Sequence, residues 1–243
     1  MNKHGLSRTI PAQVKREVRR SCGFGCVICG TSIIEYEHID PPFAEAKEHD
    51  PDRIALLCPR CHAKVTRGFL SKEAVKEARR DPCCLKEGYA SEFIDVGRKH
   101  PKIEFAGVTL VECDIPVQVD EAPLFQIKEA EEEGGPFRLS AHFSNSKGEA
   151  SLQIQDNEWR VFTGNWDVEA VGGTITIRDA PGQISLQLSI SGRDTIAIQN
   201  LNMQLNGMHF HGNTDDLVVE SSDGRSMRLT NCIASNCHVG LAL

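Results

Sequence analysis

Two Cys-x-x-Cys pairs, Cys26/Cys29 and Cys58/Cys61, constrain this chain more than any other feature. Thiolates at that spacing share one tight turn and present two sulfurs to one ion, so two such turns complete a closed tetrahedral site. Turn-forming residues surround both pairs: Gly23, Gly25 and Gly30 the first, Pro59 the second. The expected occupant is a structural Zn²⁺. Two disulfides or four ordinary buried cysteines are the bland alternative. Met1 to Arg20 is polar and basic and lacks the apolar run of a signal peptide, which gives the expectation of a cytoplasmic, reducing setting that favours metal over disulfides. Cys22 lies near Cys26, but its spacing argues against a ligand role. Cys83, Cys84, Cys113, Cys232 and Cys237 also lack the pattern.

Between the pairs runs Tyr36-Glu37-His38-Ile39, and His62 directly follows Cys61. Hydrolysis of a phosphodiester needs an activated water, stabilised charge on the phosphate and a proton for the leaving group. Histidine is the natural base near neutral pH, and a metal held by a carboxylate and an imidazole clamps phosphate oxygens. On a strand Glu37 and His38 point to opposite faces, so both serve one site only where the strand twists or ends. Asp40-Pro41-Pro42 supplies such an end.

The stretches CVIC, YEHIDP, the run ending LLC, and CPRCHAK resemble the HNH endonuclease family with its ββα-metal fold, over roughly Ile10 to Gly68. The resemblance implies that His38 is the general base, that Glu37 and His62 hold a catalytic Mg²⁺ or Mn²⁺, and that His62 sits on a helix starting near Pro59. It implies DNA as the partner. One position departs from the family pattern: the orienting asparagine expected five residues before Cys58 is Arg53. Arginine has only donors and cannot accept a hydrogen bond from the base. Asp52, one residue earlier, and His49 and Asp50 in the same loop are the alternatives for that role, and Arg53 can instead contact the scissile phosphate.

Net charge is −7 over 243 residues, but it is unevenly spread. Residues 1–100 hold 18 Lys and Arg against 14 Asp and Glu, a net of +4, and residues 101–243 hold 9 against 20, a net of −11. Two basic helical stretches flank the metal motif. The first runs from Pro11 to Arg20, with Thr9 as its cap and Lys15, Arg16, Arg19 and Arg20 as candidate phosphate contacts. The second, Ser71 to Arg80, carries Lys72, Lys76, Arg79 and Arg80. Lys64 and Arg67, just after His62, join the candidate contacts. A solvated helix face is the plain alternative for each. No apolar run approaches a membrane span.

A short helix is expected from Tyr89 to Val96, and a domain boundary at Pro101. Beyond it the pattern is all strand. Gly107–Cys113 and Phe137–Phe143 read as strands, with an acidic solvated loop from Glu129 to Gly135 between them. Alternating segments begin at Ser151, Thr174, Thr195 and Asp216, the last three at 21-residue intervals, each followed by a second strand (Ile184–Ile190, Met203–Phe210, Met227–Ile233). This favours a β-solenoid, with an antiparallel β-sandwich as the alternative. His209 and His211 share one strand face, where an exposed surface role is the plain expectation. Trp159 and Trp166 suit either a core or a partner contact.

The expectation is therefore an α+β chain: residues 1–100, a zinc-stabilised HNH-like module; residues 101–243, an acidic all-β domain for oligomerisation, partner recognition or regulation. The expected activity is metal-dependent hydrolysis of DNA, in the manner of a bacterial defence or mobile-element nuclease. The alternative is a non-catalytic zinc module that binds nucleic acid beside a partner-recruiting or self-assembling β domain.

Overall fold

The computed structural model describes all 243 residues. It is mostly β, with 47% strand and 15% helix, and it divides into two units. The first comprises Met1–Glu92 with Val161–Val168, the second Phe93–Arg160 with Glu169–Leu243. The second unit thus begins at Phe93. No helix is long and apolar enough to cross a membrane.

In the first unit, helix α1 (Ala12–Cys22) precedes strand β1 (Glu35–His38), a 3₁₀ turn (Pro51–Arg53) and strand β2 (Ile54–Leu57). Helices α2 (Pro59–Thr66), α3 (Lys72–Arg80) and α4 (Cys83–Glu87) and strand β3 (Tyr89–Phe93) follow. Pro11, not Thr9, occupies the N-cap of α1, with no side-chain cap bond. Gly23 (φ 72°) closes that helix in the left-handed conformation, and its amide bonds Arg20. The strands β1 and β2 pair antiparallel, Glu35 opposite Leu57 and His38 opposite Ile54. All four β2 side chains are buried and form the core with Val18, Cys22, Val27 and Val75. Its continuous apolar run is what a strand covered on both faces requires.

Ser71 caps α3, its side chain accepting from the Ala74 amide. The helix expected over Tyr89–Val96 is instead strand β3. Here tertiary pairing overrides local propensity: Ser91 accepts from the Ser32 amide, and its own amide donates to the Gly30 carbonyl.

The second unit is built on one curled sheet. Its strands are β4 (Lys102–Phe105), β5 (Val108–Val119), β6 (Ala122–Lys128), β7 (Arg138–Ser144), β8 (Ala150–Gln155), β9 (Glu158–Phe162), β10 (Asp167–Val171) and β11 (Thr174–Ala180). Then come β12 (Gln183–Ser191), β13 (Thr195–Leu205), β14 (Met208–Asn213), β15 (Asp216–Ser221), β16 (Ser226–Thr230) and β17 (Cys232–Ala242). Neighbours in sequence pair antiparallel from β4 to β5 to β6 to β7 to β8 and from β11 through to β16. Two parallel pairings join these runs: β13 lies beside β4, and β17 beside β5 with Cys237 opposite Cys113.

This corrects the solenoid. The 21-residue interval between the starts of the Thr174, Thr195 and Asp216 strands is the length of a strand, a turn and its antiparallel return, not of a stacked coil. The turn residues decide it. Asn206 (φ 50°) and Gly207 (φ 76°) are both left-handed, as are Asp156 (46°) with Asn157 (71°) and Asp120 (47°) with Glu121 (63°). That combination makes the tight hairpin turn whose twist matches its flanking strands. The Asn206-Gly207 turn also splits the single strand expected over Met203–Phe210 into β13 and β14. Trp159 is 4% exposed and belongs to the core. The sheet's interior includes Phe105, Phe125, Leu139, Leu152 and Phe210, with the Phe125 and Phe143 rings edge-to-face at 6.1 Å.

Candidate functional site

The four cysteines Cys26, Cys29, Cys58 and Cys61 converge, with all sulfurs within 4.8 Å of one another. Cys29 Sγ lies 3.6 Å from Cys58 Sγ and 3.8 Å from Cys61 Sγ. A tetrahedral zinc with ~2.3 Å Zn–S bonds separates its sulfurs by about 3.8 Å, so the cluster fits the ion. The backbone builds the turns. The Gly30 amide donates to Cys26 O at 2.9 Å, and Cys58 caps α2, its Sγ accepting from the Cys61 amide at 3.4 Å. A Cβ at Gly25 would stand 2.7 Å from both Cys84 Sγ and Gly30 O, so only glycine fits that approach.

Burial pushes the Cys26 thiol up to about 11. Burial works the same way on Cys29, but contacts with Thr31 and Cys58 outweigh it and bring that thiol down to about 7. A cation placed among the four sulfurs would favour their thiolate forms and offset the repulsion between them. Cys22 is fully buried in the core, apart from this group. The cluster can thus hold a structural metal such as zinc.

His62, on α2, meets two carboxylates of β1. Its Nδ1 is 2.5 Å from Glu35 Oε2 and its Nε2 is 3.1 Å from Glu37 Oε2. Residues i and i+2 share a strand face, which explains why Glu35 and Glu37 both reach it. Sequence reasoning missed Glu35, although its two-residue spacing from Glu37 was the available signal. Lys72 Nζ lies 3.2 Å from Glu37 Oε1 and donates to the His38 carbonyl at 3.3 Å.

His38 turns to the opposite face and is 8% exposed. Its Nε2 meets His49 Nδ1 at 3.1 Å, and His49 Nε2 meets the Ser7 carbonyl at 3.0 Å. A carbonyl only accepts, so neutral His49 donates from Nε2 and accepts at Nδ1. His38 then donates from Nε2 and keeps its lone pair on Nδ1. Burial, and next the proximity of His49, lower the pKa of His38 and favour the neutral form. His38 lines a hollow of about 310 Å³ with Pro41, Glu45, Lys47, Asp50 and Arg53.

The hydrogen-bond partner of the His38 ring is His49 rather than Asp52. Asp52 is exposed and gives its amide to Asp50 Oδ1 at 3.0 Å. Arg53 bonds Asp50 Oδ2 at 3.1 Å and the Asp40 carbonyl at 3.3 Å. It braces the loop and lines the same hollow as His38.

The basic residues separate into two groups. Arg19 is buried and bidentate on Asp167, which removes it from the candidate phosphate contacts. Arg16 lies over the Trp166 ring at 4.6 Å, and Lys15 over the Tyr36 ring at 5.6 Å. Arg79 donates to the Ile54 carbonyl and to Ser21 Oγ. Arg20, Lys64 and Arg67 are exposed.

Comparison of the chain with protein-family models, with curated proteins and with solved structures finds no match.

Proposed function

We propose that the first unit is a metal-dependent endonuclease of the HNH kind, hydrolysing DNA phosphodiester bonds. The single observation that carries this reading is the convergence of Glu37 and His62, from strand and helix, at 3.1 Å.

Glu37 Oε2 and His62 Nε2, 3.1 Å apart, fit two neighbouring ligands of an octahedral Mg²⁺ or Mn²⁺, which at ~2.1 Å bonds lie about 3 Å apart. Glu35 on His62 Nδ1 fixes that ring and leaves Nε2 free to coordinate. Bound there, the ion would supply charge stabilisation to the phosphate. His38 takes a proton from water at Nδ1, while His49 holds its ring. Lys72 ties Glu37 to the end of β1, the place where residues on opposite strand faces can converge. Exposed Lys64 and Arg67, on and just after the helix that carries His62, are suited to the DNA backbone. The zinc cluster holds α2 against β1 and takes no part in the chemistry.

A second reading has one observation in its favour. Lys72 already neutralises Glu37, as suits a zinc module that binds nucleic acid without cutting it. Incubation of supercoiled plasmid with Mg²⁺ or Mn²⁺ separates the two. The expected result is nicking that is lost with EDTA, with His38→Ala and with His62→Ala. Plasmid left intact in every metal, but retarded on a gel, would establish the second reading. The β unit is assigned partner recognition or self-assembly, and sizing of the purified protein tests the latter.

A further inference from the structure

The second unit carries a group of metal-ligating side chains that the nuclease reading does not use. His209 and His211 project from one face of β14, while Phe210 between them is fully buried. Glu220 stands directly opposite His209 on β15. The geometry points to a surface site for a late first-row transition-metal dication, held by His209 Nδ1, His211 Nε2 and a Glu220 carboxylate oxygen.

The distances fit an ion better than they fit direct bonds. Glu220 Oε2 lies 3.5 Å from His209 Nδ1 and 3.9 Å from His211 Nε2. Both exceed the ordinary N–H···O range, so the carboxylate is held between two imidazoles that it does not closely bond. The candidate ligand atoms lie within 4.8 Å of one another. In a tetrahedral zinc site with N and O ligands at ~2.0–2.1 Å, ligand atoms are about 3.4 Å apart. From the 3.5 and 3.9 Å carboxylate–imidazole separations the gap is about 0.1 and 0.5 Å, and the 4.8 Å bound on the whole group leaves at most about 1.4 Å for half-exposed side chains to close.

The tautomer is prepared as well. His209 Nε2 lies 2.8 Å from Asn202 Oδ1, on the neighbouring strand β13. The amide oxygen accepts, so Nε2 carries the proton and the Nδ1 lone pair is left facing Glu220 and His211. Metal-ligating histidines commonly have their second nitrogen fixed in this way. Two imidazoles and one carboxylate favour zinc, copper or nickel over magnesium or calcium. The ligands are partly exposed, so the remaining coordination position opens to solvent.

The test uses the full chain, zinc-loaded so that the cysteine cluster is filled, and carrying His62→Ala so that the proposed nuclease site cannot contribute. Calorimetric titration with Zn²⁺ should show one further equivalent. A His209→Ala/His211→Ala pair should abolish it, and Glu220→Gln, which keeps size and strand pairing, should weaken it about tenfold or more. Asn202→Ala should cost roughly tenfold through the lost orientation. With Cu²⁺ as probe, the electron paramagnetic resonance spectrum should show coupling to two nitrogens that vanishes in the double variant. A further equivalent that survives both Glu220→Gln and the double variant, or no further equivalent at all, would overturn the assignment. Neither outcome touches the nuclease reading, because plasmid cleavage is measured separately.

Discussion

Arg19 Nε and Nη2 grip Asp167 Oδ1 and Oδ2 at 2.9 and 2.8 Å, a bidentate pair spanning 148 positions of sequence and buried at both ends. Arg19 also donates to the Tyr36 hydroxyl at 3.0 Å, on the strand that bears Glu37 and His38. The pair thus fixes the segment Val161–Val168 in the first unit and braces β1. Removing one member leaves an uncompensated buried charge, at a cost of about 3–5 kcal/mol. Asp167→Ala should lower the urea midpoint accordingly, and Arg19→Met with Asp167→Leu should recover most of the loss. Equal stability of Asp167→Ala and the parent would show that the pair is not buried in solution.

Metal removal should act on the first unit before the second. With the metal bound, the four cluster thiols should resist a thiol reagent. A zinc chelator, or Cys58→Ser, should expose them together and loosen the core around Leu56 and Leu57. Thiols that react equally fast with and without chelator would exclude a metal-held cluster.

His49 is expected to act through His38. His49→Ala should reduce kcat by roughly tenfold or more and leave KM for DNA near its starting value, the pattern of a lost positioning contact. His49→Asn should regain part of the rate, since its side-chain carbonyl accepts from His38 Nε2 as His49 Nδ1 does. A His49→Asn variant no better than His49→Ala would remove that role.

Lys64 and Arg67 should govern DNA affinity through phosphate contacts. Replacing each with alanine should reduce the slope of log K against log salt by about 0.9. Lys15→Ala and Arg16→Ala, whose cations lie over Tyr36 and Trp166, should change it less. An unaltered slope in the Lys64→Ala/Arg67→Ala pair would place the nucleic acid elsewhere.

The local code was legible where chemistry sits in short motifs. The paired cysteines, the proline opening α2 and the β-branched alternation each signalled their element. Long-range partners were not legible. Nothing near Arg19 in sequence points to Asp167, so a basic helix face read as a phosphate surface. His49 lay in the correct loop, but Asp52 was nearer the vacated asparagine position, and only the fold of that loop brings an imidazole to His38. The repeat was seen correctly and its meaning was not: a 21-residue interval serves a coil or a hairpin pair equally, and the choice rests on left-handed residues such as Asn206.

Strand β17 lies parallel to β5, with Cys237 beside Cys113 across 124 positions. On the ribosome, that edge of β5 would emerge long before the residues that cover it. Non-local pairings of this kind slow folding and leave strand edges open to neighbouring nascent chains. The sheet's completion therefore waits on residues translated 124 positions later, and a message truncated shortly before Cys232 would release a chain with its longest strand half clothed.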